Sequence, residues 1–241
     1  DSLLDYIPQH IKDEKFEQYG NTFDAAAQAI LEYNKAIIDE ICDIVPAIKP
    51  QAAYYEMYGW QGVKALADTI VYAKSKGMFV ITDGKRNDIG TTMEAYAAAH
   101  LGSTAVAGEE VEAFGADALT VNGYLGTAGI TPLVNICKSG DKRMFVLVKT
   151  SNPSSGELQD KKLDDGTTVY EQMGKMCEEW GTELEGKYGY SGVGAVVGAT
   201  YPEQLAEMRA KCPHTFFLVP GYGAQGGGAN DVKNAFDENG L

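Results

Sequence analysis

Apolar residues recur along the chain in two alternating rhythms. Short runs rich in β-branched residues, MFVITD (78–83), DALTVN (117–122), RMFVLVKTS (143–151), VGAVVGAT (193–200) and TFFLVP (215–220), have the length of buried strands. Between them lie longer stretches with apolar positions three and four apart, the mark of amphipathic helices. In the first of these, residues 21–45, Asn21 or Thr22 is the expected N-cap. Phe23, Ala26, Ile30, Tyr33, Ile37 and Ile41 share one face, and the helix stops before Pro46. A short strand around PAIKPQ (46–51) follows, then a helix from Gln61 to Lys76 closed by Gly77, then strand 78–83. Helical turns are expected from Thr91 to His100 and on to Phe114, with a strand ending at Asn122. Helices over 130–139, 169–189 and 202–212 alternate with the remaining strands, and a last helix starts near Asn230.

Six strands alternating with seven helical segments predict repeated βα units around a parallel sheet, an α/β protein. No stretch rich in Pro, Gly or Ser separates two domains, so 1–241 reads as one domain. Asp1 stands where a preceding strand would end, and the chain stops after FDENGL, where another would begin. One more strand at each end would make eight. The expected fold is therefore a TIM (β/α)8 barrel with its first and last strands absent.

Composition narrows the function. Hydrophobic residues make up 44% of the 241 and charged residues 22%, ordinary for a globular chain. A net charge of −14 opposes binding to nucleic acid, and no apolar run reaches the roughly 18 residues of a membrane span. Without a secretion signal at its start, the chain is expected to be cytoplasmic. Cys42, Cys137, Cys177 and Cys212 form no C-x-x-C pair and read as reduced thiols. His10, His100 and His214 are equally scattered, so no metal site is expected.

In a barrel, chemistry sits on the loops after the carboxyl ends of the strands. The unusual polar residues fall there: Lys49 and Gln51 after one strand, Asp83 and Lys85 after the next, Asn122, then Thr150 and Ser151, then Gly221 to Gly228. Residues two apart on a strand project to the same side, roughly 7 Å apart, so Asp83 and Lys85 are expected to face the mouth together. Lys49 adds a second cation beside them. Asp88 can reach across a subunit boundary or serve as a carboxylate at a helix N-terminus. Surface ion pairing is the plainer account of such charges, yet clustered titratable groups point to a functional site. PGYGAQGGG can turn several backbone amides toward an anion, which makes Gly223, Gln225, Gly226 and Gly227 phosphate candidates.

Four segments in order, AIKPQAAYYE, ITDGKRNDIGTT, VKTSNPSS and VPGYGAQGG, give the chain a resemblance to the orotidine 5′-phosphate decarboxylases, in the branch with KTSNPSS and PGYGAQ. The resemblance implies cofactor-free decarboxylation of orotidine 5′-phosphate to UMP in pyrimidine biosynthesis, by a homodimer with sites at its interface. The family's Lys-Asp-Lys-Asp array maps onto Lys49, Asp83, Lys85 and Asp88, with Asp88 from the partner chain and Lys85 as the proton donor to C6. Asp1 and Lys49 resemble the ribose-contacting pair, joined by Thr92 of the partner chain. Gln51 borders the substrate, and Thr150 and Ser151 resemble the segment reading the pyrimidine edge, where the alternative is turn hydrogen bonding. Related phosphosugar decarboxylases, some using magnesium, a non-catalytic nucleotide-binding barrel, and one domain of a bifunctional enzyme are the other readings. The family's phosphate-binding arginine has no match, since neither Arg209 nor Lys233 is at its position. The chain reads as a fragment of a longer product; if the 241 residues were the whole protein, six strands with two open edges and no such arginine would imply poor stability, weak phosphate affinity and little turnover.

Overall fold

A computed structural model of the chain, which describes residues 4–223, 225–237 and 240, contains a helix where the apolar rhythm indicates none. α1 (Gln9–Tyr19) buries only Ile11 along its length, so its sequence carries almost no periodic signal; packing against α2 (Phe23–Ile41) holds it. Thr22 is the N-cap of α2, its Oγ1 accepting from the Ala25 amide at 3.2 Å. The helix ends at Ile41, short of Pro46, and Phe23 and Ile37 are exposed rather than inward. The buried stripe is instead Ala25, Ala26, Ala27, Ala29, Ile30, Leu31 and Ile38. It is wide because α1 and α4 both pack on α2, and small residues let them approach.

β1 (Ala47–Ile48) leads through α3 (Ala53–Glu56) and α4 (Gly59–Ser75) to β2 (Phe79–Arg86), then α5 (Gly90–His100). The expected helical turns up to Phe114 are replaced by an antiparallel hairpin, β3 (Thr104–Val106) and β4 (Glu109–Val111), with Val106 opposite Glu109. Ala107 and Gly108 between them have φ of 53° and 90°, the double left-handed turn that matches the twist of a hairpin. β5 (Ala118–Val121), α6 (Thr127–Gly140), β6 (Arg143–Lys149) and α7 (Val169–Gly181) follow, and the last elements are β7 (Val193–Val197), α8 (Pro202–Lys211), β8 (Phe217–Leu218) and α9 (Ala229–Val232). α7 stops eight residues before its expected end. Beyond Gly181 the chain turns, with Gly189 at φ 81° and the Gly186 amide donating to Tyr190 O.

The chain forms two compact units, Asp1–Gly84 with Ala95–Leu119, and Lys85–Glu94 with Thr120–Leu241. In the first, β1, β2 and the start of β5 are neighbours in that order; β1 and β2 run parallel, Ala47 beside Phe79 and Ile48 beside Val80. Its core gathers Ile7, Ile30, Leu66, Ile70, Tyr55 and Val80. In the second the order is β5, β6, β7, β8, with β6, β7 and β8 parallel. β7 is buried at every residue, as a strand covered on both faces must be.

α7 begins at a capping box. The Thr168 amide donates to Glu171 Oε2 at 2.6 Å, and the Glu171 amide donates to Thr168 Oγ1 at 3.3 Å. Thr168→Ala is expected to lower stability by about 1 kcal/mol, read as a lower midpoint in urea at an unchanged slope. All four cysteines are free; burial pushes the Cys137 and Cys212 thiols up to about 12.

Candidate active site

Register places the first candidates. Past the end of β1 the pairing with β2 continues: the Asp83 amide donates to Pro50 O at 2.9 Å and the Ala52 amide to Asp83 O at 3.1 Å, so Gln51 lies beside Asp83. This brings Lys49 over the end of β2, where its Nζ donates to Asp83 Oδ2 at 2.5 Å. The Asp83 side chain is 8% exposed and that of Lys49 36%, so the carboxylate is sealed while its ammonium partner reaches solvent. A carboxylate so placed depends on its partners to remain ionised. Lys49, Gln51 and Asp83 belong to the first unit.

Lys85, Asp88, Thr92, Thr150, Ser151 and the glycine-rich loop belong to the second. Lys85 lies two residues beyond Asp83 on β2 but has φ 48°, a left-handed backbone that costs a residue with a Cβ. The simple alternation that predicts Asp83 and Lys85 on one side is therefore broken at Lys85 itself. Its amide donates to Oγ1 of buried Thr120 at 3.0 Å, which pins this conformation, and the side chain is exposed. The Asn122 amide donates to Arg86 O at 3.1 Å. Asp88 Oδ1 accepts from the Ile89 amide at 2.8 Å, just ahead of α5, as expected of a carboxylate at a helix start. Thr92 is exposed in the first turn of α5.

Thr150 and Ser151 follow β6. Thr150 Oγ1 donates to Asn152 Oδ1 at 2.6 Å, a local turn bond, whereas Ser151 O accepts from Thr200 Oγ1 at 3.1 Å, a contact from the residues that follow β7. In the glycine-rich loop, Gly221, Gly223 and Gly226 have φ of 98°, 77° and 94°, the conformations that call for glycine. Three of the amides expected to face an anion are used inside the loop: Gly223 donates to Gly227 O at 2.8 Å, Gly226 to Gly223 O at 2.8 Å, and Gly227 to Gly221 O at 3.0 Å. A phosphate held by those amides would require the loop to open, whereas the exposed Gln225 needs no such change. Arg209 packs its guanidinium over Phe217 at 4.2 Å and donates to Thr215 O, a structural use. Asp1 lies outside the described residues.

Sequence reasoning missed Lys149, whose side chain is fully buried at the end of β6 and paired with Asp160. The available signal was a lone lysine closing an otherwise apolar strand.

Alternating βα elements, with a lysine paired to a buried aspartate toward the carboxyl ends of two neighbouring parallel strands, define a class: α/β proteins of the kind whose chemistry lies at the carboxyl ends of the strands. The profile of the "Orotidine 5'-phosphate decarboxylase / HUMPS family" matches residues 23–240. The orotidine 5'-phosphate decarboxylase of Rhodopirellula baltica is 46% identical over 241 residues, all of this chain and 78% of that protein. That of Caldicellulosiruptor saccharolyticus is 41% identical over 241 residues, with 79% of it covered. Among solved structures, the OMP decarboxylase of Leishmania donovani is 30% identical with a TM-score of 0.69, over 95% of this chain and 82% of that one. The UMP synthase of the same organism is 32% identical with a TM-score of 0.74, over 96% of this chain and 48% of that one. The chain belongs to the orotidine 5′-phosphate decarboxylase / HUMPS family and has its α/β, TIM-like fold.

Proposed function

We propose that the protein is a carboxy-lyase that converts orotidine 5′-phosphate to UMP in pyrimidine biosynthesis, with no cofactor. The relatives with 46% and 41% identity carry that activity in their names. The observation that carries the reading is the Lys49–Asp83 ion pair at 2.5 Å, with Lys85 two residues further along β2. The bond from C6 to the carboxylate breaks, carbon dioxide leaves, and the electron pair stays on C6. Lys85 stabilises that charge and delivers a proton from its ammonium to C6, becoming the neutral amine; electrostatic preorganisation and general acid catalysis are combined in one group. Asp83 lies against the departing carboxylate, and Lys49 keeps it ionised while also contacting the ribose with Asp1. Gln51 borders the substrate, Thr150 and Ser151 read the pyrimidine edge, and the phosphate is taken by Gln225 together with Gly223, Gly226 and Gly227, whose amides are freed as the loop opens.

The active form is a homodimer in which Asp88 and Thr92 come from the second copy, and the enzyme works in the cytoplasm. No helix among the described residues is long and apolar enough to cross a membrane. The test is loss of orotidine 5′-phosphate absorbance with EDTA present throughout. Turnover that survives EDTA is expected; an inert protein, or one that needs added magnesium, rejects the reading. A shared site also predicts complementation. Inactive Asp88→Ala and Lys85→Ala proteins, unfolded together and refolded, recover about a quarter of wild-type activity, because half the dimers are mixed and each has one intact site. Recovery of none would remove Asp88 from the partner's site.

A further inference from the structure

Lys149 closes β6 with a side chain fully out of solvent. Its Nζ donates to Ser155 Oγ at 2.9 Å and to Asp160 Oδ1 at 2.7 Å, and the Tyr201 ring centroid lies 4.4 Å away. The next residue is held in the same manner. The Thr150 amide donates to Gln159 Oε1 at 2.9 Å, and Gln159 Nε2 donates to Thr150 Oγ1 at 2.8 Å. Two consecutive residues at the strand end therefore grip two consecutive residues at the far side of the segment 151–158, closing it into a tied loop. The Ser151 backbone is pressed onto the end of β7: a Cβ added at Gly198 would lie 2.9 Å from Ser151 Cα.

Burying an ammonium is costly, and a methionine would fill the same space without that cost. Packing alone does not account for a lysine here. What the lysine supplies is a hydrogen-bonded tie to Ser155 and Asp160, while Gln159 ties Thr150 directly. We propose that Lys149 is a positioning residue which, with Gln159, fixes the loop so that Thr150 and Ser151 meet the pyrimidine ring in one geometry. This rests on the reading of Thr150 and Ser151 as pyrimidine contacts.

The test compares UMP with ribose 5-phosphate, which lacks the ring, by calorimetric titration of wild type, Lys149→Met and Gln159→Leu, alongside turnover of orotidine 5′-phosphate. In both variants the affinity for UMP and kcat/KM fall by about tenfold or more, the scale expected when a contact group is misplaced, while affinity for ribose 5-phosphate stays put. Equal falls for both ligands would mark a general loosening and overturn the proposal, as would no change for either. Gln159 is half-buried on the loop, so Gln159→Leu decides the matter alone if Lys149→Met does not fold. A wild type without turnover rejects the functional reading; a wild type with turnover and variants with undiminished UMP affinity reject the role of the loop tie.

Discussion

Lys85→Ala loses at least about 10⁴-fold in kcat, because one substitution removes both the general acid and a charge preorganised for the carbanion. Lys85 has φ 48°, a left-handed backbone in which any residue with a Cβ is strained, and the alanine variant keeps that strain. Lys85→Gly sharpens the prediction. Glycine adopts the left-handed conformation freely, so this variant is as inactive as the alanine variant yet more stable than it by about 1 kcal/mol. Urea titrations and single-turnover rates, measured with EDTA present, separate the two effects. A Lys85→Ala enzyme with undiminished rate would refute the assignment of the proton donor. A Lys85→Gly protein less stable than wild type would show that the side chain itself supports the fold.

Lys49→Ala fails in both respects. Removing the ammonium takes one partner, at 2.5 Å, from the Asp83 carboxylate, which is 8% exposed. Breaking a buried pair from one side costs about 3 kcal/mol or more, and the 36% exposure of Lys49 brings the expected loss down to about 2 kcal/mol. Activity falls by at least about a hundredfold, since Asp83 then takes up a proton or turns away from the substrate. Changing both partners, Lys49→Met with Asp83→Leu, recovers part of the lost stability and none of the activity, because no charge is left buried. A double variant less stable than Lys49→Ala would show that other partners of Asp83 matter more than the lysine. A Lys49→Ala protein with wild-type stability would show that water replaces the ammonium at no cost.

Several features were legible in the chain before any coordinates. The alternation of strand and helix followed from apolar spacing; β5, β6, β7 and β8 fall within the runs that announced them, while β2 continues three residues past its run, to Arg86. Thr22 begins α2 through its side-chain oxygen, a local interaction written in the neighbouring residues. The polar residues at the strand ends stood out in the chain because each follows or closes a short apolar run.

Other features were not. α1 has no apolar stripe to read, and the hairpin at 104–111 hides in a stretch whose composition also suits a helix until Ala107 and Gly108 take positive φ. The left-handed backbone at Lys85 depends on Thr120, thirty-five residues away, to receive its amide. Lys149 looked like one more lysine, since its role rests on Asp160 and Ser155 across a loop.

The sequence by itself determined the order of elements, the strand ends on which the charged groups lie, and the kinship carried by four short segments, for each of these depends on neighbours in the chain. Only the tertiary structure decided which lysine seals which carboxylate, which backbone is strained, and which glycine amides are already occupied. Those outcomes are set by groups brought together from distant positions, where hydrogen-bond distance and exposure choose among pairings that the order of residues leaves equal.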